Sequence, residues 1–96
     1  MAPEQVRGGV VDPRTDIYSL GIIMYELFTG TQPYVGNDPI EFAFQHVEGN
    51  PKPPREHAPD LPPVLEAIIL KAMAVQPDDR FQSMETLRET LAALAV

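Results

Sequence analysis

The chain carries few side chains whose type and spacing suit chemistry. His46 and His57 are its only histidines, and neither has a partner at metal-ligand spacing. His46 lies between Gln45 and Val47 on an amphipathic stretch, a setting that favours surface packing over ligation. Ser19, His57 and Asp60 supply the residue types of a nucleophile, a base and its orienting acid. Any small protein offers such a set, and nothing in the sequence orients this one. Asp78 and Asp79 are adjacent carboxylates of the kind used in acid–base catalysis, but just ahead of a helix they better serve to brace a turn and complement the helix N-terminus. Gly8-Gly9 is not a phosphate cradle, because neither GxGxxG nor GxxxxGK[ST] occurs anywhere in the sequence. By residue type and spacing alone, no catalytic constellation survives.

Composition narrows the classes further. Ninety-six residues make one small domain with a thin margin of stability. Apolar residues at 44% and charged residues at 22% are ordinary globular usage, which argues against wholesale disorder. Fourteen acidic against seven basic side chains give a net charge of −7, and the two lysines, Lys52 and Lys71, stand apart. Binding to nucleic acid or to an anionic membrane surface needs clustered cations, so neither is expected. The absence of cysteine excludes disulfides and thiolate metal sites and fits a reducing cytoplasm. No secretion signal and no long uncharged apolar run occurs, so this segment is not expected to insert into a membrane.

Eleven prolines divide the chain into its elements. Ala2 to Arg7 predicts a short helical turn ending at Gly8-Gly9. Asp16 to Thr29 predicts a helix apolar on every side, which belongs at the centre of a core. Thr15 or Asp16 can cap its start, and Gly30 suits its end. Asn37-Asp38-Pro39-Ile40-Glu41 predicts a second helix start, with Asp38 as N-cap and Gly49 as the stop. There Ile40, Ala43, Phe44 and Val47 share a face, and Phe42 points away from it. Residues 50–62 carry five prolines and read as an extended connector. A third helix is expected over Pro63 to Val75, with Leu65, Ile68, Ile69, Ala72 and Met73 in one stripe. After a turn at Gln76 to Arg80, a last helix capped by Ser83 aligns Met84, Leu87, Leu91 and Leu94. The expected fold class is all-α, with four main helices.

Read together, several short strings carry a more specific meaning. Met1-Ala2-Pro3-Glu4-Gln5 resembles the Ala-Pro-Glu element that closes the activation segment of protein kinases. Asp16-Ile17-Tyr18-Ser19-Leu20-Gly21 is similar to the D-x-W-S-x-G string opening the kinase F helix, with Tyr18 in place of the commoner Trp. Tyr25-Glu26-Leu27-Phe28-Thr29-Gly30 and Pro33-Tyr34 resemble that helix's end and the loop after it. Gln76-Pro77-Asp78-Asp79-Arg80-Phe81 resembles the turn before the last kinase helix. Phe44-Gln45-His46-Val47 and Leu70-Lys71-Ala72-Met73 are worded most like bacterial Ser/Thr kinases of the eukaryotic-like type. The resemblance covers residues 1–96 as an incomplete protein kinase domain: the lower C-lobe, with helices F, G, H and I around a buried helix F.

The resemblance implies structural roles for Ala2, Pro3, Glu4, Asp16, Gly21 and Arg80. Glu4 and Arg80 would form the ion pair that ties the activation-segment end to the lobe base. Asp16 would accept backbone N–H groups of a catalytic loop or serve only as a helix cap, and Gly21 would let another segment approach helix F closely. The Gly-rich loop, the strand lysine with its Glu partner, the H-R-D loop and the D-F-G aspartate are not found in these residues. ATP and Mg²⁺ are therefore implied for a full-length parent that phosphorylates protein Ser/Thr, and the 96-residue chain is expected to be non-catalytic. Met1 directly before Ala-Pro-Glu fits an internal methionine of such a parent. Implied partners are protein substrates or the remainder of the kinase, in the cytoplasm, with a parent that is either free or membrane-anchored. Part of the apolar central helix should then be uncovered. The alternative is a small helical interaction module retaining a docking surface, in which Phe42 either docks a partner or packs against the 50–62 connector.

Overall fold

The computed structural model describes residues 2–34 and 38–94. Met1 and Asn37, which belong to strings read above, lie outside the described residues. The helices are α1 (Pro3–Arg7), α2 (Pro13–Thr29), α3 (Pro39–Glu48), α4 (Pro54–His57), α5 (Pro63–Ala72) and α6 (Met84–Ala93), with a 3₁₀ turn at Pro77–Asp79 before the last. No strand occurs among the described residues, so the all-α expectation holds.

Helix ends follow local chemistry. Asp38 accepts the Glu41 N–H at 2.8 Å with Pro39 at the first helical position, as the sequence predicts. The start of α2 is a correction. Asp12, not Thr15 or Asp16, is the cap; its carboxylate accepts from the Arg14 N–H at 2.8 Å, and Pro13 opens the helix. The Asp-Pro pair that marks α3 therefore also marks α2. Gly30 and Gly49 end α2 and α3 at φ 74° and 64°, a left-handed conformation that L side chains rarely adopt. The connector is not wholly extended, because Pro54 to His57 form one helical turn with Pro54 buried beneath it. Helix α5 stops at Ala72 rather than Val75.

The molecule is a flat slab, 41 × 28 × 16 Å. Helix α2 is the hub, packed closely by α5 and also by α4 and α6, while α1 lies against α3. Its inner side buries Ile17, Tyr18, Gly21, Met24 and Tyr25, one continuous stripe at helical spacing. Ile23, Leu27 and Phe28 stay exposed on its other side, which matches the expectation that part of this apolar helix is uncovered. The predicted α5 stripe is inward, with Ile68, Ile69, Ala72 and Met73 buried, and Tyr25 ties the connector down by donating its O–H to the Lys52 carbonyl at 2.6 Å. In α6 only Leu87 of the predicted stripe is fully buried; Met84 and Leu94 reach solvent.

The α2–α5 crossing depends on Gly21. A Cβ there would lie 2.9 Å from both Ala72 Cβ and Met73 Cγ, closer than real side chains come. Overpacking costs about 1–3 kcal/mol, which outweighs the roughly 1 kcal/mol of helix propensity alanine gains over glycine. In urea unfolding, Gly21→Ala should therefore lower stability by about 1 kcal/mol and Gly21→Ile by more than twice that. A neutral or stabilising Gly21→Ala would show that the two helices part freely.

Candidate functional site

The site forms where α1 meets the turn before the last helix. Pro3 opens α1, and the Ala2 N–H donates to the Gln5 side chain at 2.7 Å, so the first turn is closed on itself. Ala2 and Pro3 are buried, which fixes the turn against the core and aims Glu4 inward. From the other end of the sequence, the 3₁₀ turn leads into Arg80 in an extended conformation, and its side chain runs back beneath α1 fully buried. The two meet as a bidentate pair: Nη1 to Glu4 Oε2 at 2.7 Å and Nη2 to Glu4 Oε1 at 2.8 Å.

A guanidinium has five N–H donors, and here each finds an acceptor. Besides Glu4, Nε donates to the Ala74 carbonyl at 2.7 Å, Nη2 to Val75 at 3.1 Å and Nη1 to Arg14 at 3.1 Å. The carbonyls of Ala74 and Val75 follow the end of α5, so Arg80 receives the chain where that helix stops. Its flat face lies over the Tyr18 ring, 4.8 Å from the centroid. Thr15, in the first turn of α2, donates its hydroxyl to Glu4 Oε2 at 2.6 Å. Four segments, α1, the first turns of α2 with Thr15 and Tyr18, the end of α5 and the 3₁₀ turn, thus converge on one ion pair.

The electrostatics follow from these contacts. Hydrogen bonding from Arg80 holds the Glu4 carboxyl down at about 2; burial pushes it up but is outweighed, and the Thr15 hydroxyl adds to the lowering. Glu4 is held ionised beside the guanidinium, so it has no proton to give up near neutral pH. The arrangement can clamp; it cannot perform acid–base catalysis.

The other singled-out residues fall elsewhere. Asp16 is exposed in the first turn of α2, and its carboxylate makes no hydrogen bond among the described residues. Its negative charge complements the helix N-terminus, but it is not the cap. Ser19 donates only to the Thr15 carbonyl, and no hydrogen bond joins it to His57 or Asp60 among the described residues. Asp78 accepts from Arg14 at 2.7 Å in an exposed bridge across the turn. The expected faces of α3 are corrected: Ile40 and Phe44 are 73% and 63% exposed, whereas His46 is buried and Phe42 half-buried against the core. Phe42 packs its ring 4.7 Å from that of His46, so it faces inward, not outward. His46 is held by Tyr18, whose hydroxyl lies 2.6 Å from Nδ1. The signal for this contact is Tyr18 itself, since a buried tyrosine hydroxyl needs a hydrogen-bond partner. Among the described residues no three His, Cys, Asp or Glu side chains gather.

Acid should expose the clamp. Glu4 folds with its pKa lowered from 4.5 to about 2, so its contribution is complete above pH 4.5 and is lost as pH falls through about 2. Glu4→Gln should cost about 3 kcal/mol at neutral pH, because it leaves a buried guanidinium without its counter-charge. Urea midpoints of the variant should also decline less than those of the wild type between those two pH values, the remainder coming from groups such as Asp12, which Arg14 holds below its ordinary value. Equal acid sensitivity in both proteins would assign the decline to other groups.

Comparison with known proteins agrees with this geometry. The sequence signature of the family described as protein tyrosine and serine/threonine kinase matches residues 1–91. The serine/threonine-protein kinase PknB of Mycolicibacterium smegmatis is 45% identical over 91 residues, covering 95% of this chain and 15% of that protein. A probable serine/threonine-protein kinase of Streptomyces coelicolor is 42% identical over 93 residues, covering 97% of this chain and 14% of that protein. The twitchin kinase region of C. elegans has the same fold over 95% of this chain and 15% of its own, with a TM-score of 0.81 at 23% identity. The chain thus spans about 15% of the length of the curated relatives it matches. No described helix is long and apolar enough to cross a membrane. With Ala-Pro-Glu at one end of a buried ion pair and the arginine before the last helix at the other, this chain belongs to the protein kinase family and corresponds to the lower, all-helical part of its C-lobe.

Proposed function

We propose that this chain is the part of a serine/threonine protein kinase that seats the end of the activation segment on the helical lobe. The complete kinase would transfer the γ-phosphate of ATP to serine or threonine of protein substrates. The Glu4–Arg80 clamp carries this reading: it is buried, bidentate and saturated, and it joins the first helix of the chain to the turn before the last. Such a contact fixes the base from which a substrate-facing loop is held, and in phosphoryl transfer positioning supplies much of the rate. ATP and Mg²⁺ would be held by residues that these 96 do not include, and the chain alone is non-catalytic on this reading.

A second reading, a helical interaction module, is favoured by the outward face of α3, where Ile40 and Phe44 stand one turn apart and largely exposed. The contact of Phe42 with the core supports packing over docking for that residue.

The two readings separate in a chimera in which residues 1–91 replace the matching segment of the Mycolicibacterium smegmatis relative. With ATP, Mg²⁺ and a protein acceptor, the chimera should incorporate phosphate on serine or threonine. The same chimera carrying Arg80→Lys should lose most of that activity, since lysine cannot supply the five-donor fork. A folded chimera without transfer would favour the interaction module.

A further inference from the structure

Helix α3 is gripped by few neighbours. It packs mainly on α1 and reaches the central helix through side chains, chiefly His46 near its C-terminal end. The imidazole is 1% exposed, with Nδ1 against the Tyr18 hydroxyl at 2.6 Å and Nε2 buried without a partner. The rings of Phe42, Tyr34 and Tyr18 surround it at 4.7, 4.8 and 5.8 Å. In either neutral tautomer one ring nitrogen goes unanswered, and a second proton would add a charge with no acceptor for it.

The charged and titratable groups around this cage offer no relief. From α2 comes the Tyr18 hydroxyl, and from the loop before α3 the Tyr34 hydroxyl, whose pKa burial pushes up to about 12. Burial raises Tyr18 as well, so both phenols stay neutral. Behind the Tyr18 ring lies the Arg80 guanidinium, and the Glu4 carboxylate of α1 is fully engaged by Arg80 and Thr15. No carboxylate makes an ion pair with the imidazole among the described residues.

We propose that Tyr18 and His46 form an acid-releasable latch: α3 stays docked on α2 while the imidazole is neutral, and protonation frees α3 while the Glu4–Arg80 clamp keeps the remaining helices together. Burial lowers His46 from 6.5 to about 4. Because the docked form prefers the neutral ring, docking is strongest above pH 6.5, weakens as pH falls below it and loses this contribution entirely below about 4. The corresponding window for Glu4 runs from 4.5 to about 2, so the latch opens before the clamp.

The test is amide hydrogen exchange of the full chain, corrected for intrinsic rates, resolved by helix and followed with pH. Between about pH 7 and about pH 5.5, opening of α3 should increase roughly tenfold while α2 and α5 keep their protection. His46→Gln, which cannot gain the proton, should abolish that dependence. Retention of the dependence in His46→Gln, or loss of protection in α2 and α5 in step with α3, would overturn the latch. Should His46→Gln fail to fold, an NMR titration of the wild-type imidazole decides. A ring that stays neutral below the pH at which free histidine titrates supports the latch, and one that titrates at or above that pH overturns it.

Discussion

A guanidinium buried without solvent must have its charge balanced and its donors answered. Arg80 meets both demands, and most of this fold is the set of segments that supply what it needs. Glu4 supplies the charge, so α1 must lie over the arginine. Ala74 and Val75 supply carbonyls, so α5 must end where it does. Arg14 supplies another, which fixes the first turn of α2, and Thr15 from the same turn completes the carboxylate shell. Replacing such a pair by apolar residues can be neutral or stabilising, whereas losing one partner is costly. Its value lies in fixing how four segments, α1, α2, the end of α5 and the 3₁₀ turn, meet.

The second tier of the structure hangs on Tyr18. One face of its ring carries the guanidinium and its hydroxyl reaches His46, so the same residue borders the clamp and holds α3. The two attachments differ in chemistry. The clamp is an ion pair whose strength survives to low pH; the contact of α3 with Tyr18 is a single neutral hydrogen bond inside an aromatic cage. A molecule built this way has a firm α1–α2–α5–α6 body and a more loosely tethered α3, whose outer face presents Ile40 and Phe44.

Much of this is legible in the sequence, and the failures have physical causes. Glu4, Arg80 and Gly21 are legible only through the resemblance to protein kinases; the structure supplies the reasons, a counter-charge, a five-donor fork and the absence of a Cβ. The cap at Asp38 is readable from Asp-Pro, yet the same pair at Asp12-Pro13 escapes notice because the apolar run begins only at Ile17. The apolar residues of α3 populate more than one face, so periodicity alone turns that helix the wrong way. Counting His46 as polar gives the inner face to Ile40 and Phe44, while the buried Tyr18 hydroxyl selects His46. The carbonyls of residues 14, 74 and 75 cannot be anticipated, since backbone acceptors leave no mark on side-chain identity. The short turn at Pro54 to His57 is hidden among prolines, which serve helix starts as readily as extended chain.

The central claim is that Glu4 and Arg80 act as one unit, and a double-mutant cycle measures that directly. Urea unfolding at neutral pH of the wild type, Glu4→Gln, Arg80→Met and the double variant yields their coupling free energy. A coupling of about 2–3 kcal/mol is expected, with the double variant more stable than the sum of the single losses allows. Additive losses, with coupling near zero, would mean that the two side chains meet without depending on one another, and that the fold does not rest on their pairing.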